Sequence, residues 1–198
     1  MKGSIRFRCA AFVGALALLA GAPASAAILL QSDASFRVTP TAPGANWNTS
    51  AAFDDAGWQN ATVLYEVGPV LPEYDGAKGI WSSGGQFSRT ETELWIRKLF
   101  TFSGPLSAAT LAVGCDDDCT VWLNGTQVVA DADGRAGNSF ADVAALLTTG
   151  TNLVAWRVTD NFPVWGYQHS TWLQIDGTFA TPPSSVPVSG PTAYSSAS

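Results

Sequence analysis

The chain has 198 residues, with charged side chains at only 13% and eight Trp, ten Phe and four Tyr. That charged share is about half the usual one, and a chain this apolar and aromatic can bury a core, which argues against disorder. The composition excludes a coiled coil, a helical repeat array and a basic nucleic-acid binder. Nineteen Gly and eleven Pro cut the chain into short pieces, and the length suits one domain of roughly 150 residues.

Lys2, Arg6 and Arg8 precede an apolar run over 9–20, and small residues follow at Ala24, Ser25 and Ala26. Charged start, greasy centre and A-x-A site make residues 1–26 a secretory signal cleaved before Ala27. The apolar run is too short to cross a hydrocarbon core of about 30 Å, and no other stretch approaches that length. An uncleaved anchor is the alternative. Loss of the three cations, with no acid among them, takes the formal charge from −6 to −9. Such a surface repels phosphate backbones and anionic headgroups and suits cations. The expected location is outside the cell, at its surface or in the periplasm, with no transmembrane segment in the mature chain. Cleavage removes Cys9 and leaves Cys115 and Cys119, in the spacing C-D-D-D-C. An even pair in an exported chain reads as a disulfide, and the single His169 cannot complete a thiolate metal site.

Residues 27–38 are apolar and β-prone and read as the first strand, followed by a Pro/Gly loop over 39–44. Over 46–58, Trp47, Phe53 and Trp58 flank a compact turn; the rings are expected to plug one end of the fold, with Asp54 and Asp55 bonding local amides. Residues 60–67 read as a strand, and 68–85 as a long irregular loop carrying Tyr74 and Trp81. A strand over 94–102 follows. The runs 108–115 and 119–123 read as a hairpin around Asp116, Asp117 and Asp118, closed by the disulfide. Asn124-Gly125 is a tight-turn signal, and 126–130 returns from it. A polar loop over 131–139 leads to a helical turn over 140–147, capped by Asp142 and stopped by Gly150. Residues 152–159 form a buried strand, 160–169 an aromatic loop and 170–179 a last strand. The uncharged Pro/Ser/Ala stretch 181–198 reads as a flexible tail. Short strands with regular turn signals make the chain an all-β sandwich of about eight strands with one short helical turn, over residues 27–180.

Three segments carry a resemblance. They are Trp47…Phe53-Asp54-Asp55-Ala56-Gly57-Trp58, then Asp116-Asp117-Asp118…Val121-Trp122-Leu123-Asn124-Gly125-Thr126-Gln127-Val128, then Phe140-Ala141-Asp142-Val143…Leu146-Leu147…Gly150-Thr151-Asn152-Leu153-Val154-Ala155. In this order, over about residues 45–178, the chain resembles the galactose-binding-domain-like jelly roll found as an accessory module in bacterial glycosidases and exported surface proteins. The resemblance implies a jelly-roll β-sandwich without catalytic activity, sometimes with a structural calcium. It does not fix a ligand.

Groups for catalysis are few. His169 stands at a strand entrance with no G-x-S-x-G near any Ser, and the acids cluster as adjacent turn residues rather than as a pair facing a cleft. For a metal, Asp116, Asp117 and Asp118 concentrate three carboxylates, and Asp131 and Asp133 add two in a loop; the spacing is not that of an EF-hand, and a solvated acidic turn is the alternative to calcium. For carbohydrate, a pyranose stacks its C–H face on an exposed ring while its hydroxyls bond amides and carboxylates. The loop rings Trp165, Tyr167 and Trp81, with Asp160 and Asn161, are the expected site; Tyr74, Phe162, Gln168 and Arg89 are further contributors. The alternative is that these rings cover the sandwich edge. The reading is an exported, noncatalytic module whose partner is a glycan or cell-surface polysaccharide, with no cofactor or a structural calcium. The rivals are a self-associating envelope, matrix or filament subunit, and a glycoside hydrolase accessory or catalytic domain.

Overall fold

The computed structural model describes residues 25–64, 76–82, 92–161 and 170–180. Twelve strands run in chain order: β1 (Ser25–Gln31), β2 (Arg37–Thr39), β3 (Gln59–Asn60), β4 (Thr62–Val63), β5 (Ile80–Trp81), β6 (Glu93–Phe102), β7 (Leu106–Cys115), β8 (Asp118–Leu123), β9 (Thr126–Asp131), β10 (Gly137–Asp142), β11 (Gly150–Thr159) and β12 (Thr171–Phe179). Among the described residues a single 3-10 turn, Ala144–Leu146, interrupts them. The Asp142 carboxylate accepts the Ala144 amide at the entrance to that turn.

The strands form two antiparallel sheets. Sheet A has the order β10-β7-β12-β5-β4, with β1 also paired to β12; sheet B has the order β3-β2-β6-β11-β8-β9. Their facing sides make one core. In β8, Cys119, Val121 and Leu123 are buried while Asp118, Thr120 and Trp122 alternate outward, the period-two pattern of a strand with one covered face. Opposite them lie Leu111 and Val113 of β7 and Leu173 and Ile175 of β12, with Phe36 set edge-on to Trp156 at 5.5 Å between centroids.

Several expected elements change partners. The strand expected over 27–38 is two strands in different sheets. The chain breaks at 32–36, where Asp33 Oδ1 accepts the Ser35 amide at 2.7 Å and bends the backbone. The run expected over 60–67 is likewise split between β3 in sheet B and β4 in sheet A. The hairpin expected at 108–123 is a crossover: β7 belongs to sheet A and β8 to sheet B. The Cys115–Cys119 disulfide spans this crossover, with Cα atoms 6.0 Å apart, and so ties the two layers together.

The 46–58 turn packs on the outer face of sheet B rather than at an end. Trp47 meets Trp122 of β8 at 5.5 Å and Trp58 at 6.3 Å, and Phe53 meets Trp58 at 6.0 Å. Arg97 of β6 fixes it there. Its guanidinium is fully buried, donates to the carbonyls of Phe53 and Ser50 at 3.0 Å each, and pairs with Asp55 at 3.3 Å. Asp54 bonds a local amide, that of Ala56, as expected, whereas Asp55 is taken by Arg97. The turn at Asn124-Gly125 has positive φ at both residues, 49° and 85°, the combination that Asn-Gly tolerates best.

Candidate functional site

The crossover between the sheets builds the candidate site. Asp116 and Asp117 connect the layers, and β8 begins at Asp118. Asp117 is buried; its amide donates to the Thr159 carbonyl at 3.0 Å and its carboxylate accepts the Asn161 amide at 2.9 Å. Asp118 pairs with Thr159 on the outer face of sheet B. Its Oδ1 accepts the Gly134 amide at 2.7 Å and its Oδ2 accepts the Asn161 side-chain Nδ2 at 2.6 Å. Gly134 has φ 74°, a left-handed conformation that lets the loop after β9 turn back onto Asp118.

Register supplies the other carboxylates. Cys119 pairs with Asp131, so the end of β9 lies beside the start of β8. Asp133 follows in the loop, where its carboxylate accepts the Arg135 amide at 2.9 Å. Asp118, Asp131 and Asp133 bring one oxygen each within 4.8 Å of one another. Three hard oxygens can hold a cation, although calcium asks for six to eight. Ser139 Oγ donates to Asp131 at 3.1 Å. Of the five acids singled out in the sequence, this arrangement unites Asp118, Asp131 and Asp133. Asp117 instead anchors Asn161, and Asp116 is not in the group.

Beside the carboxylates is an open cleft of about 160 Å³, lined by Asp118, Thr120, Asp131, Arg157 and Thr159 among others. Arg157 pairs across to Glu93 and stands 5.8 Å over the ring of Trp95. Thr120, Arg157 and Thr159 did not stand out in the sequence. The signal available was strand alternation, which puts Asp118, Thr120 and Trp122 on one face.

The expected carbohydrate residues divide. Asn161 is exposed and joins the carboxylates. Asp160 is buried, with its amide bonded to the Thr92 carbonyl at 2.8 Å, so it is not offered to a ligand. Trp81 is a correction. It belongs to β5, is fully buried in the core and presents no ring face to solvent. Trp165 and Tyr167, with Tyr74, Phe162, Gln168, Arg89 and His169, lie outside the described residues. The flanks of two of these segments are fixed. Residues 162–169 run from Asn161 to Ser170, next to Thr171, which pairs with Cys115. Residues 83–91 run from Ser82, after β5, to Thr92, whose carbonyl holds Asp160. Of these described flanks, Asn161 and Thr171 contact the crossover, at Asp118 and Cys115. Among the described residues, no helix is long and apolar enough to cross a membrane.

No protein-family model matches the chain, and no curated protein matches it. Solved structures do. The chain is similar to a glycosyl hydrolase family 2 member from Bacteroides cellulosilyticus, with 16% identity over 74% of this chain and 20% of that chain and a TM-score of 0.47. It is similar to a beta-glycosidase from Bacteroides vulgatus, with 13% identity over 76% of this chain and 20% of that chain, TM-score 0.49. It is also similar to a Bacteroides uniformis beta-glucuronidase, with 14% identity over 77% of this chain and 18% of that chain, TM-score 0.47. The chain thus spans about a fifth of the length of these neighbours. The all-β sandwich stands on the sheets themselves, two antiparallel layers over one core, and the neighbours that share part of their length with it are glycosidase chains.

Proposed function

We propose that this chain is an exported, noncatalytic module that binds glycan at the crossover end of its sandwich. One observation carries the reading. Asn161 donates its amide to Asp117 and its side chain to Asp118, which ties the start of the segment holding Trp165 and Tyr167 to the carboxylates of the cleft. Sugar recognition asks for stacking rings beside hydroxyl-binding groups, and Asn161, four residues before Trp165, is bonded to those carboxylates. Trp165 and Tyr167 are separated by one residue, so in an extended segment they share a face and form one platform. Pro163 limits the backbone freedom of that segment, which lowers the ordering cost of binding. In this reading the signal over 1–26 is removed, so that the intact mass of protein from its own host corresponds to a chain starting at Ala27.

Trp165→Ala abolishes retention on a polysaccharide column and leaves the melting temperature within about 2 °C of the parent. A loss of about 3–5 kcal/mol in stability, the cost of emptying a core aromatic site, would instead mark the ring as packing.

Asp118, Asp131 and Asp133 hold calcium in this reading, as a clip between the start of β8 and the loop after β9. A ligand present at a hundred times its Kd stabilises by about 2.7 kcal/mol. Excess chelator therefore lowers the melting temperature by about 5–10 °C. Identical melting curves with and without chelator would leave the three carboxylates as a solvated turn.

A further inference from the structure

We propose that the closed sandwich hides its own processing site. The bond between Ala26 and Ala27 is open to a signal peptidase only while β1 is off β12, so a chain that folds first keeps its signal. The proposal rests on the signal over 1–26 in the reading above and does not depend on the glycan. Its basis is the register of β1. The strand runs over Ser25–Gln31 and so begins before the expected cut. Ser25 lies opposite Phe179, Ala26 opposite Thr178 and Ala27 opposite Gly177. The scissile bond thus lies inside an antiparallel ladder, with paired residues on both sides of it.

Pairing, not cover, is the shield. Ala26 is exposed, and an open groove of about 390 Å³ lined by Ala26, Ala27, Ile28 and Asp176 runs beside it. A peptidase, however, takes several residues on each side of the bond as an extended strand of its own, and here that stretch is held by β12. Beyond the cut, β1 is fastened by Leu30, which is buried in the core, and by Leu29 packed against it. Gly177 makes the seat for Leu29: a Cβ there would stand 2.7 Å from Cδ1 and 2.9 Å from Cγ of that side chain. At the end of the strand, Ser32 donates its amide to the Leu173 carbonyl at 2.9 Å and its hydroxyl to the Lys78 carbonyl at 2.7 Å. To reach a peptidase β1 has to leave as a unit, and cutting then follows the small population that is open.

The fold itself loses little by the cut. Ala27, Ile28, Leu30 and Gln31 keep Gly177, Asp176, Ile175 and Gln174 as partners, and only the pairs of Ser25 and Ala26 go. The sheet therefore closes with or without the signal, and the order of the two events decides the product. A chain cut first is free of residues 1–26. A chain folded first carries them for as long as the sheet stays closed.

The test uses the full precursor, residues 1–198 with the disulfide formed, refolded from denaturant in detergent. A bacterial signal peptidase is added either at the first moment of refolding or after refolding is complete, and intact mass reports the cut. Enzyme present from the start yields the chain beginning at Ala27. Enzyme added afterwards cuts at least about a hundredfold more slowly. Gly177→Val, which takes the space of Leu29, makes late addition as effective as early. Should that variant fail to fold, a run of Gly and Ser residues inserted between Ala26 and Ala27 decides, because it carries the bond out of the ladder and restores late cutting. A folded insertion variant that still resists late addition would overturn the proposal, as would equal rates for the parent in both orders, and either result leaves the signal standing. No cut at this bond in either order would overturn the signal reading and the proposal together.

Discussion

Gly114→Ala is expected to destabilise the fold by about 3 kcal/mol, lowering the melting temperature by about 6–12 °C. Gly114 lies in β7 between Trp172 of β12 and Asn138 of β10. A Cβ built there would stand 2.3 Å from Nε1 and 2.5 Å from Cε2 of Trp172, and 2.9 Å from the Asn138 side-chain oxygen. The indole cannot step aside. It is fully buried on the outward side of sheet A, packed with Ala77 and Ala112, and a planar bicyclic ring has no flexible end to bend away. The requirement is therefore space, not backbone conformation, since Gly114 is not among the residues with positive φ. Thermal unfolding of the alanine variant checks this. A melting temperature within about 2 °C of the parent would mean that Trp172 does not sit against β7.

The second large effect is at Arg97. Replacing it with Met keeps the bulk but strands the Ser50 and Phe53 carbonyls and the Asp55 carboxylate. Leaving a buried polar group without its partner costs about 1–3 kcal/mol each. Breaking a fully buried ion pair costs about 3–5 kcal/mol. Asp55 keeps 29% exposure and rehydrates in part, so the expected total for Arg97→Met is about 3 kcal/mol. Burial pushes the guanidinium below its ordinary pKa while Asp55 draws it back up, and a guanidinium stays charged at any accessible pH. Deprotonation of Arg97 therefore plays no part in the loss. Arg97→Lys recovers less than half, because one ammonium cannot reach the two carbonyls and the carboxylate as the planar fork does. The variant should also free the 46–58 turn, read as a red shift in Trp47, Trp58 and Trp122 emission and as new protease cutting there. If Arg97→Met melts with the parent, the turn is held by its aromatic rings alone.

Much of the fold was legible because strand alternation and turn chemistry are local. The expected strand over 94–102 is β6 (Glu93–Phe102) and that over 152–159 lies within β11 (Gly150–Thr159); the Asn-Gly turn stands where its positive φ angles require it. What alternation cannot say is which sheet a strand joins. The spacing of Cys115 and Cys119 suits a hairpin and a crossover equally, and only the partners of β7 and β8, far along the chain, decide between them. The break at 32–36 does have a local signal, since Asp33-Ala34-Ser35 carries the side chain that turns the backbone. The Gly- and Pro-rich surroundings of Trp81 read as a solvent loop; a two-residue strand paired to β12 and β4 is too short to show in the sequence and yet buries the ring.

The acidic group shows the same division. That Asp116, Asp117, Asp118, Asp131 and Asp133 are acidic was plain, but which three meet depends on Cys119 pairing with Asp131. Arg157 and Thr120 carry no sequence signal for a related reason. Each looks ordinary within its own strand, and only their pairing across β8 and β11 makes them one wall.

The position of β12 has a consequence for how the protein is made. It lies between β7 on one side and β1 and β5 on the other, and its far half pairs with β1, Gly177 opposite Ala27. Synthesis therefore delivers the central strand of sheet A last. Until residue 179 has left the machinery that makes or translocates the chain, β1, β5 and β7 have no strand between them, and Leu173 and Ile175 are missing from the core. Sheet B carries no such delay beyond β11, since β2, β6, β8 and β9 all precede it. A chain released before residue 170 thus holds one completed sheet with its apolar side bare, a species that aggregates rather than waits. Closure comes in one late step, when the last strand slides in and the two ends of the domain meet.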